Sequence, residues 1–194
     1  RGRLKVRLRK PPQDVFFNTR DMTLPDLIVG DKTETMAAIV IVNASELPLR
    51  DSWLAVSGAD LASLETSIPE MRSLSVRKIA FPLKGRAPAG PSDFPIEITL
   101  FAKDKGRIVS LDKAKITLRA VNVYEAQRRT YVSSVDGSIQ HYAVLPARPV
   151  QEHAGHPAAL VLSLHGAGVE ALNQVRSYSQ KTWAHIVAPT NRRP

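Results

Sequence analysis

The residues whose types and spacing could do chemistry are His165-Gly166-Ala167-Gly168. They close an apolar run, Ala158 to Leu162, after an intervening Ser163 and Leu164, and precede a segment with helical spacing. A tight turn needs one glycine. Two glycines flanking an alanine let the backbone adopt unusual φ/ψ and approach a bound group closely. N–H groups left free at such a turn can donate to a developing negative charge, as an oxyanion hole requires. Ala167 and Gly168 are the candidate donors, with Gly166 shaping the loop and His165 bracing it by a hydrogen bond. The alternative is a glycine-rich turn with no catalytic role. A phosphate loop is excluded, because neither G-x-x-x-x-G-K-[ST] nor G-x-G-x-x-G occurs.

Other reactive residue types offer less. Glu152, His153 and His156 have a spacing that could share a metal on a helix, but Gly155 and Pro157 make the segment a loop, and no metal is expected. His141 and His185 are single histidines on strand-like runs, suited to core or surface roles. Ser163 and His165 share a strand face, yet a strand serine lacks the sharp elbow of a nucleophile. No G-x-S-x-G occurs; "AGPSDF" has Phe94 where the second glycine would stand. There is no cysteine, which removes disulfides, thiolate nucleophiles and cysteine-based zinc sites. No cofactor is expected.

The elements that would position the turn lie in the second part of the chain. "RTYVSSVDGSIQHYAVLP" predicts a hairpin with a two-residue type I′ turn at Asp136-Gly137, pairing Tyr131–Val135 with Ile139–Leu145. "AALVLSL" predicts a strand buried on both faces. "VEALNQVRSYSQKTWA" places Leu172, Val175, Tyr178 or Ser179, and Thr182 to Trp183 at helical spacing, with Glu170 and Lys181 suiting the helix dipole. "HIVAPT" is a further buried strand. Strand, turn, helix and strand imply a parallel pair with a right-handed crossover.

The earlier part has another texture. Alternating runs in "TMAAIVIVNAS", "SWLAVSGAD", "SLSVRKIAFPL", "FPIEITLFAKDKG" and "GRIVSLDKAKITLRAVNV" are separated by Gly, Pro and Asn/Asp turns at the intervals of an antiparallel sandwich. Leu74, Val76, Ile79 and Phe81 are expected on one run's inner side, as are Ile96, Ile98 and Leu100 on another and Ile116 and Leu118 on a third. "GADLASLETS" is the one candidate for a helical turn. Trp53 is expected in the core, with a sugar-stacking role as the alternative. The expected divisions are residues 1–21 as N-terminal strand and linker, 22–124 as sandwich, and 125–194 as the αβ part, with a cleavable boundary between Asn122 and Arg129.

Residues 22–123 resemble an immunoglobulin-like β-sandwich accessory domain in architecture, without a specific motif. "VLSLHGAG" resembles the His-Gly-x-Gly oxyanion loop that follows the third strand of α/β-hydrolases. With the hairpin before it and "HIVAPTNRR" after it, Arg129 to Pro194 looks like the entry to the catalytic domain of prolyl-oligopeptidase-like and esterase families. Where that family often has a second glycine directly after His-Gly, this chain has Ala167. The resemblance implies mainly β plus α/β architecture, an ester or peptide substrate, and a serine hydrolase whose Ser, Asp/Glu and His lie beyond the turn. None of the triad is in these residues, so the chain is expected to be an inactive amino-terminal portion, completed by the rest of the hydrolase domain. The alternative is a non-catalytic β-sandwich binding module, for carbohydrate or protein, with a small αβ extension.

Composition sets outer bounds. The chain has 194 residues and a formal net charge of +9. Apart from Arg1 to Lys10, the cations are dispersed. In that cluster Leu4, Val6 and Leu8 alternate with Lys5, Arg7 and Arg9, as in a half-buried strand with a basic outer face. No nucleic-acid partner is expected. No apolar run approaches the ~20 residues of a membrane span. The first residues are basic without an apolar stretch behind them, so they are not a signal peptide. The compartment stays open, with a secreted or periplasmic one preferred.

Overall fold

The apolar run Met36–Val42 shows how the chain is layered. The computed structural model describes residues 13–150, 157–164, 166 and 168–190. In it, the run lies in β3 (Lys32–Asn43), the middle strand of an antiparallel sheet between β1 (Val15–Thr23) and β6 (Ser75–Arg86). Ala37, Ile39 and Ile41 face one core, while Ala38 and Val40 on the opposite face are buried too. Covered on both sides, the strand needs no polar alternation.

The inner side meets a five-stranded sheet. Its strands are β2 (Leu27–Ile28), β4 (Ser52–Gly58), β5 (Leu64–Ile68), β7 (Ser92–Asp104) and β8 (Arg107–Val121), in the order β2-β8-β7-β4-β5. Leu54 and Val56, Phe94 to Leu100 at every second position, and Ile116 and Leu118 join Ile79, Phe81 and Leu83 in one core. The chain is mainly β, and these two sheets about a shared core are consistent with a β-sandwich.

Several expectations change. β1 begins at Val15, so the sheet starts ahead of residue 22. "GADLASLETS" forms a turn and β5 rather than a helical turn. Val76 is 66% exposed because β6 turns its odd positions inward from Ile79, and Leu74, 75% exposed, stands in the turn before β6 at φ +51°. Trp53 is not in the core. It lies between Ser52 and Leu54, on the outer face of the five-stranded sheet, half-buried and stacked on Phe101 at 5.6 Å. Strand pleating decides this: Leu54 and Val56 take the inner side, and an odd neighbour must point away.

A third sheet contains β9 (Gln127–Val132), β10 (Ile139–Leu145), β11 (Ala159–Leu162) and β12 (Ala184–Pro189), ordered β11-β12-β10-β9. β10 is antiparallel to both β9 and β12, and β11 runs parallel to β12. The hairpin exists, but its turn is not the expected one. β9 ends at Val132; the Ser133 N–H donates to the Ser138 carbonyl and the Gly137 N–H to the Ser133 carbonyl, which leaves four residues between the two serines. Gly137 has φ +69°, whereas Asp136 is not at positive φ and instead accepts from the Ser138 N–H and hydroxyl. The two-residue turn with both central φ positive stands at Lys105 (48°) and Gly106 (81°), between β7 and β8.

α1 covers Ala171–Arg176 only, shorter than the expected segment. Ser177 and Tyr178 donate to Gln174 and Val175 carbonyls, a tightened last turn, and the chain then runs to β12. Leu172 and Val175 pack on Ala143, Leu145, Ile186 and Ala188 in a second core. Each such buried side chain contributes about 1.5–3 kcal/mol.

β9 and β10 lie against the outer side of β3. Thr130 Oγ1 is 3.0 Å from Thr35 Oγ1 and donates to the Met36 carbonyl. Beside this contact, Asp26, 5% exposed at its side chain, accepts from Arg119 Nε at 3.0 Å, from its terminal nitrogen, and from the Arg128 N–H at 2.8 Å. Hydrogen bonding to Asp26 raises the Arg119 pKa above its ordinary value, while burial opposes the shift. Asn122 to Glu125 form an exposed turn, but Gln127 is fully buried and its amide donates to the Val123 and Glu125 carbonyls. The expected boundary is therefore cross-linked on its β9 side.

Candidate functional site

The segment after β11 is held from below. Ser163 is buried, its N–H donates to the Val187 carbonyl, and its hydroxyl is 2.9 Å from both the Tyr178 hydroxyl and Gln174 Nε2. Neither of these described partners is a base strong enough to take the Ser163 proton, and the two contacts tie β11 to the helical segment. Gln174 and Tyr178 are four residues apart at the helix end. That spacing signals their common face, although the helical pattern of the sequence places Tyr178 on an apolar stripe.

Gly166 and Gly168 both have open space where a Cβ would stand. Gly168 has φ +82°, which an L side chain rarely adopts, and the Val169 N–H reaches the Gly166 carbonyl at 3.3 Å. The glycine at 168 is thus required by backbone conformation. His165 and Ala167 lie outside the described residues, as do Glu152, His153 and His156. No group of three His, Cys, Asp or Glu among the described residues is placed to hold a metal. No helix there is long and apolar enough to cross a membrane.

A charged cluster that the sequence did not disclose adjoins the start of α1. Glu170, the residue before the helix, pairs with Arg128 at 3.4 Å. Arg128 Nε is buried without a partner. His141 lies within range of both charges. Burial, then Arg128 and Lys78, lowers its pKa, and Glu170 partly opposes them. Glu170 lies more than 25 positions from the residues it meets on β9 and β10, so no local spacing could reveal the cluster.

His185 takes a different role. Its Nδ1 accepts the Ala147 N–H at 3.1 Å, fixing the stretch after β10 against the start of β12. It borders a cavity with Tyr124, Trp183 and several prolines and alanines at the amino ends of β11 and β12. The glycine turn is at the opposite, carboxyl end.

No family model matches the chain, and none of the curated proteins does. Among solved structures, one similar chain is the GH20 exo β-N-acetylglucosaminidase from Vibrio harveyi, solved with N-acetylglucosamine. It is 11% identical over 87% of this chain and 34% of that one, with a TM-score of 0.24. This chain thus spans about a third of that protein. A similarity of this size carries no argument about fold or activity.

Proposed function

We propose that residues 125–194 open the catalytic domain of a serine hydrolase acting on an ester or peptide, preceded by an immunoglobulin-like β-sandwich. The observation that carries the reading is the sheet order β11-β12-β10-β9, with the glycine turn at the carboxyl end of β11 and α1 leading to parallel β12. Ligands of open α/β sheets bind at that end of the strands. Ala167 and Gly168 would supply N–H donors to the oxyanion; His165 and Gly166 would shape the loop. The triad would come from residues beyond Pro194. Two further features agree with a larger sheet. All four residues of β11, expected to be buried on both faces, are apolar and exposed, because β11 is an edge strand of the described sheet. The face of β10 and β12 opposite α1 carries half-exposed Tyr142, Val144, Val187 and Pro189.

The test uses the full-length protein that contains this sequence. A serine-directed fluorophosphonate should label it at a serine beyond Pro194. Ala167→Pro should lower kcat about 10²–10³-fold in a folded enzyme, the usual loss for one oxyanion donor. Absence of labelling in the folded full-length protein would refute the reading.

One observation favours a second reading. The Trp53–Phe101 stack on an outer sheet face is where a non-catalytic sandwich could hold a sugar ring or a protein surface. Glycan binding lost in Trp53→Ala, together with no fluorophosphonate labelling, would place this reading first.

A further inference from the structure

The amino ends of β11 and β12 carry a cavity of about 270 Å³ that the hydrolase reading does not use. It lies on the far side of β11 from the glycine turn, roughly 13 Å away for a four-residue strand at ~3.3 Å per residue. Its walls are Tyr124, Trp183, Pro149, Pro157, Thr182 and His185, with two alanines. Trp183 is 53% and Tyr124 40% exposed, so both aromatic rings remain available for contact. Ligand pockets usually exceed about 300 Å³; this one suits a single ring.

The walls are fixed by hydrogen bonds from several segments. Gln180 Nε2 donates to the Tyr124 carbonyl at 2.6 Å and the Pro146 carbonyl at 3.1 Å. The Arg148 N–H donates to the Lys181 carbonyl, and the Ala159 N–H to the Trp183 carbonyl at 2.7 Å. Such support limits the ordering cost of binding. The imidazole of His185 is also oriented. Because its Nδ1 accepts the Ala147 N–H, the uncharged ring carries its proton on Nε2. That N–H is the remaining donor of a residue that lines a largely apolar, aromatic cavity.

We propose that this cavity binds an uncharged, single-ring aromatic group bearing one hydrogen-bond acceptor, with the ring against Trp183 and Tyr124 and the acceptor on His185 Nε2–H. A sugar is a poorer match, since its several hydroxyls would face proline and alanine. The site is independent of the oxyanion turn, so its loss would leave the hydrolase reading untouched.

The chain has two tryptophans, and Trp53→Phe leaves Trp183 as the only indole reporter. Benzamide should change its fluorescence saturably. In the unsubstituted chain, the Trp183 indole N–H resonance should shift with the same midpoint, which guards against misfolding of the variant. His185→Asn keeps an acceptor for Ala147 and withdraws the outer donor. It should weaken benzamide about tenfold, the equivalent of ~1.4 kcal/mol for one hydrogen bond. His185→Gln, which restores a donor near the Nε2 position, should recover part of the loss. Toluene, with no acceptor, should bind the parent and His185→Asn equally. A response that never saturates, or equal benzamide affinity in the parent and a folded His185→Asn, would overturn the proposal.

Discussion

Asp26 is the residue whose removal most directly tests how the chain is held together. Asp26→Ala withdraws three accepted hydrogen bonds at once: two from Arg119 and one from the Arg128 N–H. Removing one member of a buried ion pair typically costs 3–5 kcal/mol, because the other charge is stranded. The Arg119 side chain is 31% exposed and regains some hydration, which puts its share at the lower end, about 3 kcal/mol. The orphaned Arg128 N–H adds about 1 kcal/mol. The expected loss is thus about 3–4 kcal/mol, a large part of the ~5–15 kcal/mol of a typical domain. Asp26→Asn keeps one oxygen and should cost about half as much. Asp26→Leu combined with Arg119→Leu strands no charge, so it should be more stable than Asp26→Ala. Urea unfolding followed by circular dichroism measures these differences, with constant m confirming that one transition is compared. A loss below about 0.5 kcal/mol in Asp26→Ala, or a double variant less stable than the single, would refute the reasoning.

Two further outcomes are expected. Gly137→Val should destabilise the chain by about 2 kcal/mol in urea melts, since φ +69° strains a β-branched residue while the open space adds no clash; Gly137→Asn should cost less. His141 should make stability pH-dependent. Its folded pKa lies below the ordinary 6.5, so the unfolded state binds the extra proton between those two values. Stability should therefore fall as pH drops below about 6.5 and level off below the folded pKa. His141→Gln should flatten that part of the profile, measured as urea midpoints across pH.

Much of the strand framework was legible in the sequence because pleating imposes a period of two wherever one face is dry. Ile96, Ile98 and Leu100 against Glu97, Thr99 and Phe101 place β7 without any structure. Leu172 and Val175 likewise mark the buried side of α1. Gly137 and Gly168 announce positive φ, because few other residues tolerate it. What the local pattern did not determine depends on partners distant in the chain. Asp136-Gly137 suited a two-residue turn, but the pairing register that puts Val132 opposite Ile139 left a longer loop. Trp53 is apolar by type, yet its phase relative to Leu54 sends it outward. Met36 to Val42 reads as a strand in either case. Only the docking of β9 and β10 explains why both its faces are covered. The Asp26–Arg119–Arg128 hub, the His141–Arg128–Glu170 cluster and the cavity beside Trp183 join residues tens of positions apart. Hydrophobic period and turn chemistry are short-range properties, carried by neighbours in sequence. Charge pairing, burial of single polar groups and cavity shape arise only when separate segments meet, and so the tertiary structure alone decided them.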